Sequence, residues 1–211
     1  MVAQLTDLTI RSAVSAWIND PTEARNTYGD ISAWDTSQVT DMKELFNYCT
    51  NFNDNIDGWN VDKVTTMNSM FYGASTFNQN IGNWNVDNVN DMYSMFGNAS
   101  AFNGNISQWK VDNVNDMRSM FRNATAFSKD IRGWSVSAST VRTNMFTGAT
   151  LMQQMYLAQN SPTPATQWFI IDHVLVSNIC FPAGTLIATN QGNVPIEKIN
   201  PEIHTIRNKP I

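Results

Sequence analysis

The chain has 211 residues, 13 Lys+Arg against 18 Asp+Glu for a net charge of −5, 42% hydrophobic and only 15% charged residues. One domain or two small ones with a real core fit that length, and the composition excludes a disordered chain. The charge is −2 over residues 1–30, −3 over 31–156 and zero over 157–211. With no basic patch or tail, nucleic acid and anionic membrane are poor partners. Cys49 and Cys180 cannot form a disulfide framework, and no His/Cys cluster has metal-ligand spacing, so no metal or cofactor is expected.

The first 17 residues lack a basic segment followed by an unbroken apolar run, so no signal peptide is expected. Ile10, Val14, Trp17 and Ile18 have amphipathic helical spacing up to Pro21, which predicts a helix over 5–19. Residues 1–30 therefore read as a helical cap on whatever follows.

From residue 31 the chain is periodic. Trp34, Trp59, Trp84, Trp109 and Trp134 stand 25 residues apart, and other columns move with them. Counted from each Trp, Val recurs at +5 (Val39, Val64, Val89, Val114) and Met at +8 (Met42, Met67, Met92, Met117). Phe recurs at +12 (Phe46, Phe71, Phe96, Phe121, Phe146) and +18 (Phe52, Phe77, Phe102, Phe127), and Ile at +22 (Ile56, Ile81, Ile106, Ile131). The spacing Ile81-x-x-Trp84-x-Val86 predicts a strand in each unit, and Val89, Met92, Met95 and Phe96 predict a short helix. Asp62, Asp87 and Asp112 suit helix N-caps better than a cation site, and the Asn53, Asn78, Asn103 and Ser128 column suits a polar ladder. The register fades in the fifth unit at Ser139, Arg142, Met152 and Tyr156. The fold class that follows is an α/β repeat solenoid of about five right-handed, leucine-rich-repeat-like coils over 31–156, with the N-terminal helix as its cap.

The pattern W-x-V-x-x-V-x-x-M-x-x-M-F resembles the BspA-like leucine-rich-repeat surface-protein family, and Ile31 to Met42 matches it closely. The resemblance covers about residues 30–150 and implies a surface or adhesion-type binding role without chemistry. The missing signal departs from the secreted bacterial members and favours a protist or large-DNA-virus member. Localisation is left open between a cell surface and a virion.

Residues 157–179, with Asn160-Ser-Pro-Thr-Pro-Ala-Thr-Gln167, read as a linker. The apolar run Trp168 to Phe181 is broken by Asp172 and His173, too short and polar to span a bilayer, so direct membrane insertion is not expected. Residues 180–211 read as a small β segment. There Cys180, Gly184-Thr185, Ile187, Gly192 and Ile196-Glu197-Lys198-Ile199 resemble the opening of a Hint (hedgehog/intein-type) domain. That resemblance implies Cys180 as a vestigial nucleophile toward the Ile179 carbonyl, without the Thr/His block such chemistry requires.

No Ser/His/Asp set, P-loop or dinucleotide fingerprint occurs, so no enzyme activity is expected. The expected function is non-catalytic: a recognition, adhesion or structural module. Its contact residues are the polar, varied positions flanking Trp on the strand face: Asp35, Asn60, Asn83, Asn85, Gln108, Lys110 and Ser135. The expected partner is a protein, peptide or glycan. Two alternatives are a Hint-type precursor with the repeats as cargo, and a structural component of a large virus particle. For Cys180, an unactivated thiol and an unstrained amide do not react. The 211-residue chain should stay intact on incubation with dithiothreitol, read by mass spectrometry; a fragment ending at Ile179 would show an active domain.

Overall fold

The computed structural model describes residues 4–156 and 163–169, together with the backbone of four short strands after residue 185. It divides into two compact units, Met1–Ile170 and Ile171–Ile211. The second contains β3 (Leu186–Thr189) antiparallel to β4 (Gly192–Pro195), and β5 (Thr205–Ile206) antiparallel to β6 (Lys209–Pro210). Cys180 lies outside the described residues.

The first unit opens with β1 (Gln4–Thr6), so the helix expected over 5–19 forms only from Ile10: Leu5 and Thr6 belong to the strand, and α1 (Ile10–Asn19) buries Ile10, Ala13, Val14 and Trp17. Pro21 does more than end it. Pro21 begins α2 (Pro21–Tyr28), where its missing N–H is no loss, and the Asp20 carboxylate accepts the N–H groups of Thr22 and Glu23. A 3-10 turn at Ile31–Ala33 leads into β2 (Asp35–Gln38), which pairs in parallel with β1.

Beyond β2 the units stack in the expected register, but with different local structure. Neither the strand at Ile-x-x-Trp-x-Val nor the helix at Val89–Phe96 forms; both stretches are turns. The ladder instead runs through single parallel bridges at +7, linking Asp41, Thr66, Asp91, Asp116 and Val141. The helix fails for a conformational reason. Each unit has left-handed residues at +10 and +14: Glu44 and Tyr48, Ser69 and Gly73, Ser94 and Asn98, Ser119 and Asn123, Asn144 and Gly148. A left-handed residue every fourth position interrupts any right-handed helix. It also turns alternate amides toward the next unit. Met67, Ser69, Phe71 and Gly73 donate to the carbonyls of Asp91, Tyr93, Met95 and Gly97 at 2.7–2.9 Å. The interleaved Met70, Tyr72 and Ala74 donate three residues back, to Met67, Ser69 and Phe71.

The interior is a set of aromatic columns. Phe46, Phe71, Phe96, Phe121 and Phe146 stack with centroids 5.5–5.7 Å apart, and Phe52, Phe77, Phe102 and Phe127 at 5.8–5.9 Å. The repeat tryptophans are buried. Their indole N–H groups form a second ladder: Trp59, Trp84, Trp109 and Trp134 donate to Ile31, Ile56, Ile81 and Ile106 carbonyls at 2.8–3.2 Å. The Asn column is a third, Asn78 N–H donating to Asn53 Oδ1, Asn103 N–H to Asn78 Oδ1 and Ser128 N–H to Asn103 Oδ1.

Both ends are finished. Asn90, Asn115 and Thr65 each donate an amide to the preceding unit, but Thr40 has no preceding unit. The Asp7 carboxylate takes that place, accepting Thr40 N–H and Oγ1–H at 2.7 Å and Asp41 N–H at 3.1 Å. At the other end α3 (Thr150–Tyr156) follows the fifth unit and buries Met152. Residues 163–169, expected within a linker, pack instead: Trp168 lies 5.5 Å from Phe146, and its indole donates to the Tyr156 carbonyl.

Two outcomes test this packing. Trp84→Ala should destabilise by about 3–5 kcal/mol through the cavity it leaves. Trp84→Phe should cost about 1–2 kcal/mol, from the lost indole bond and the smaller ring, since the Ile56 carbonyl keeps the Trp59 amide. Urea midpoints give both values. For Asp7, partial burial pushes the carboxyl up, but hydrogen bonds from Thr40 and Asp41 outweigh it and hold the pKa below the ordinary 3.8. The stability it contributes is therefore present above pH 3.8 and is lost as pH falls below it. Asp7→Asn should unfold at lower urea than the native chain at pH 7, with the gap closing toward pH 3; a gap independent of pH would contradict the carboxylate's role.

Candidate functional site

The varied positions flanking Trp are accessible while the indoles are buried. Asn60, Asn83, Asn85, Gln108, Lys110 and Ser135 are exposed and Asp35 is half-buried. They do not stand on a repeated strand, however: among them only Asp35 belongs to a strand, and the others lie on turns or irregular chain. The turns use several of these side chains for themselves. Asn60 Oδ1 accepts the Asp62 N–H at 2.9 Å, and Asn85 Oδ1 accepts the Asp87 N–H at 3.2 Å. Asp35 Oδ1 accepts the Ser37 N–H at 3.0 Å, and hydrogen bonds from the Ser37 side chain and backbone hold the Asp35 carboxyl below its ordinary range. These are Asx turns, the local geometry that short amide and carboxylate side chains favour.

The remaining positions reach sideways. Asn83 Nδ2 lies 3.4 Å from the Asp57 carboxylate, Lys110 Nζ 3.7 Å from Asp87, and Gln108 Nε2 donates to Ser107 Oγ at 3.3 Å. Asp62, Asp87 and Asp112 cap no helix. Asp62 and Asp87 instead offer their carbonyls to the side-chain amides of Asn88 and Asn113, at 2.6 and 2.8 Å. Among the described residues no group of three or more His, Cys, Asp or Glu could hold a metal ion, and no helix is long and apolar enough to cross a membrane.

A second varied column escaped the sequence reading. At +9 stand Lys43, Asn68, Tyr93, Arg118 and Thr143, beside the bridges at +7. Lys43, Tyr93, Arg118 and Thr143 are exposed, and Asn68 is half-buried. Here the +7 residue holds the turn, Asp41, Asp91 and Asp116 accepting the +9 amides at 2.7–2.9 Å, which leaves the +9 side chain free to vary. Lateral contacts fix these side chains: Asn68 Nδ2 donates to Asp91 Oδ2 at 3.0 Å, and the Arg118 guanidinium, forked onto Asp116, lies 5.3 Å from the Tyr93 ring. Five chemically different side chains at one structural position were the available signal. Assigning this stretch to a helix concealed it.

Stacked 25-residue units with a uniform aromatic interior and a varied polar exterior define a repeat protein. The chain belongs to the family described as Mycoplasma protein of unknown function, DUF285, which matches residues 18–116 and again 56–161. At the level of a repeat family this agrees with the BspA-like resemblance. No curated protein and no solved structure matches the chain. The family match ends before Cys180 and so does not bear on the Hint resemblance.

Proposed function

We propose that this chain is a non-catalytic recognition or structural surface module whose units wind as a right-handed, leucine-rich-repeat-like solenoid. The observation that carries the reading is the contrast between columns. Positions +12, +18 and +22 hold nearly one residue type throughout and are buried at every Phe and Ile, whereas +1 and +9 change in every or nearly every unit and are exposed or half-buried. A packing role constrains residue type; a contact surface constrains only direction. Five units at about 4.8 Å per unit give a face roughly 20–25 Å long, suited to a protein, peptide or glycan patch.

The test must separate contact from turn geometry. Asn60→Asp and Asn85→Asp keep the oxygen that accepts the turn amide, so the combination with Lys110→Ala should leave the melting transition within about 2 °C of the native chain. A parallel variant carries Tyr93→Ser and Arg118→Ser. Array screening of the full chain against proteins and glycans identifies a ligand, and its affinity should fall at least about tenfold in one variant. A screen without a ligand, or unchanged binding by both folded variants, rejects recognition by the repeat face.

A further inference from the structure

α1 does not close fully onto the first repeat unit. A groove between them has two parts, one of about 320 Å³ walled by Trp17, Ile18, Tyr48, Cys49, Phe52 and Asp54. The other, of about 280 Å³, shares Ile18 and Cys49 and extends to Arg11 and Glu44. The walls are mixed, with Thr50, Asn51, Ser15 and Asn19 among the aromatic and aliphatic side chains, and they include a carboxylate: Asp54 Oδ2 accepts the Trp17 indole N–H at 2.9 Å. Burial pushes the Cys49 thiol up, so it serves as an uncharged wall.

Tyr48 is the unusual member. It is 66% exposed and left-handed, with φ 56°, in a column otherwise filled by Gly73, Asn98, Asn123 and Gly148. A bulky residue is unfavourable in that conformation. Its ring lies over Gly73, where an added Cβ would come within 2.8 Å of it, and meets Tyr72 edge-on at 5.3 Å. An aromatic ring is thus held outside the core and beside the groove.

The electrostatic setting is one-sided. Residues 1–57 carry nine acidic and three basic side chains, a net −6, whereas residues 58–211 carry nine acidic and ten basic. All three bases are already paired, Arg11 with Asp41, Arg25 with Asp30 and Lys43 with Glu44. Asp54, Asp57 and Glu23 form no ion pair among the described residues.

We propose that this groove docks a basic, extended segment of a protein partner. A Lys or Arg head meets Asp54 while its aliphatic stem crosses Tyr48 and Ile18, burying methylenes and keeping the charge at the rim. From Arg11 to Ile18 α1 runs about 10 Å, the length of three or four extended residues. The proposal goes beyond the repeat-face reading and does not rest on it.

Titration of the full chain, followed by amide chemical shifts, tests the docking. The probe is the blocked pentapeptide Lys-Leu-Ser-Lys-Leu, with Glu-Leu-Ser-Glu-Leu and cellotriose as comparisons. The basic peptide should shift groove resonances saturably and weaken about tenfold in high salt. Asp54→Asn, which keeps an acceptor for Trp17, should weaken it at least about fivefold. Tyr48→Gly should weaken it too, without lowering the melting temperature, because glycine relieves the left-handed backbone. Asp112→Asn, far along the stack, should change nothing. The proposal is overturned if the basic peptide fails to bind at about 1 mM, if the acidic peptide or the sugar binds the groove equally, or if both groove variants bind as the native chain does. Melting curves separate lost docking from lost folding.

Discussion

Everything in the repeat region depends on satisfying backbone groups that belong to neither helix nor sheet. Turn backbone buried beside phenylalanine columns would strand its amides, and stranded buried amides are rarely tolerated. The stack solves this by alternation. A left-handed residue at +10 and another at +14 point every second amide along the stack, while the interleaved amides close turns within the unit. The same geometry makes each unit dependent on its neighbour, because the partner of Phe71 N–H is the carbonyl of Met95 in the following unit. A single unit therefore cannot fold, and the 25-residue spacing cannot drift, since one inserted residue would exchange the outward and inward amides.

The aromatic side chains enforce the same spacing. The carbonyls of Ile31, Ile56, Ile81 and Ile106 each accept two donors, the amide of the tryptophan three residues on and the indole of the tryptophan 28 residues on: Ile56 takes Trp59 N–H at 3.1 Å and Trp84 Nε1–H at 3.2 Å. A phenylalanine in place of tryptophan would fill part of the volume but make no bond between units. That explains why the column holds tryptophan and not merely a large apolar residue. The ends show the rule by its exception. Where no preceding carbonyl exists, Asp7 supplies carboxylate oxygens to Thr40, and where no following carbonyl exists, Thr163 Oγ1 accepts the Asn144 amide.

The periodic core was legible in the sequence because burial selects residue type, and Trp, Phe, Val, Met and Ile recur in register. Local conformation was less legible. Val89, Met92, Met95 and Phe96 have the spacing of a helix face, but inward-pointing turns with the same count of residues bury the same positions. The contradicting signal was small: Gly73, Asn98, Asn123 and Gly148 suit a left-handed position, but the serines at Ser69, Ser94 and Ser119 do not announce one. The caps were illegible for another reason. Asp7 and Thr40 are 33 residues apart, and no local pattern connects them. Of the contact residues expected around Trp, the outward placement was legible, but the capture of Asn60 and Asn85 by their own turns was not.

That capture bears on where variation is free. At +1 the residue both faces outward and, in the first three units, holds the turn, so Asp35, Asn60 and Asn85 stay within the short set of side chains able to do so. At +9 the two tasks are divided between neighbours. Asp41, Asp91 and Asp116 hold the turn, and Lys43, Tyr93 and Arg118 carry no obligation to the backbone. The result is visible in the chain itself: +1 ranges over Asp, Asn, Asn, Lys and Ser, while +9 runs through Lys, Asn, Tyr, Arg and Thr. A fold that delegates turn formation to one column leaves the adjacent column open to aromatic and cationic side chains, the types that dominate recognition surfaces. The arrangement of carboxylates at +7 thus determines which outward positions can change chemistry without disturbing the stack.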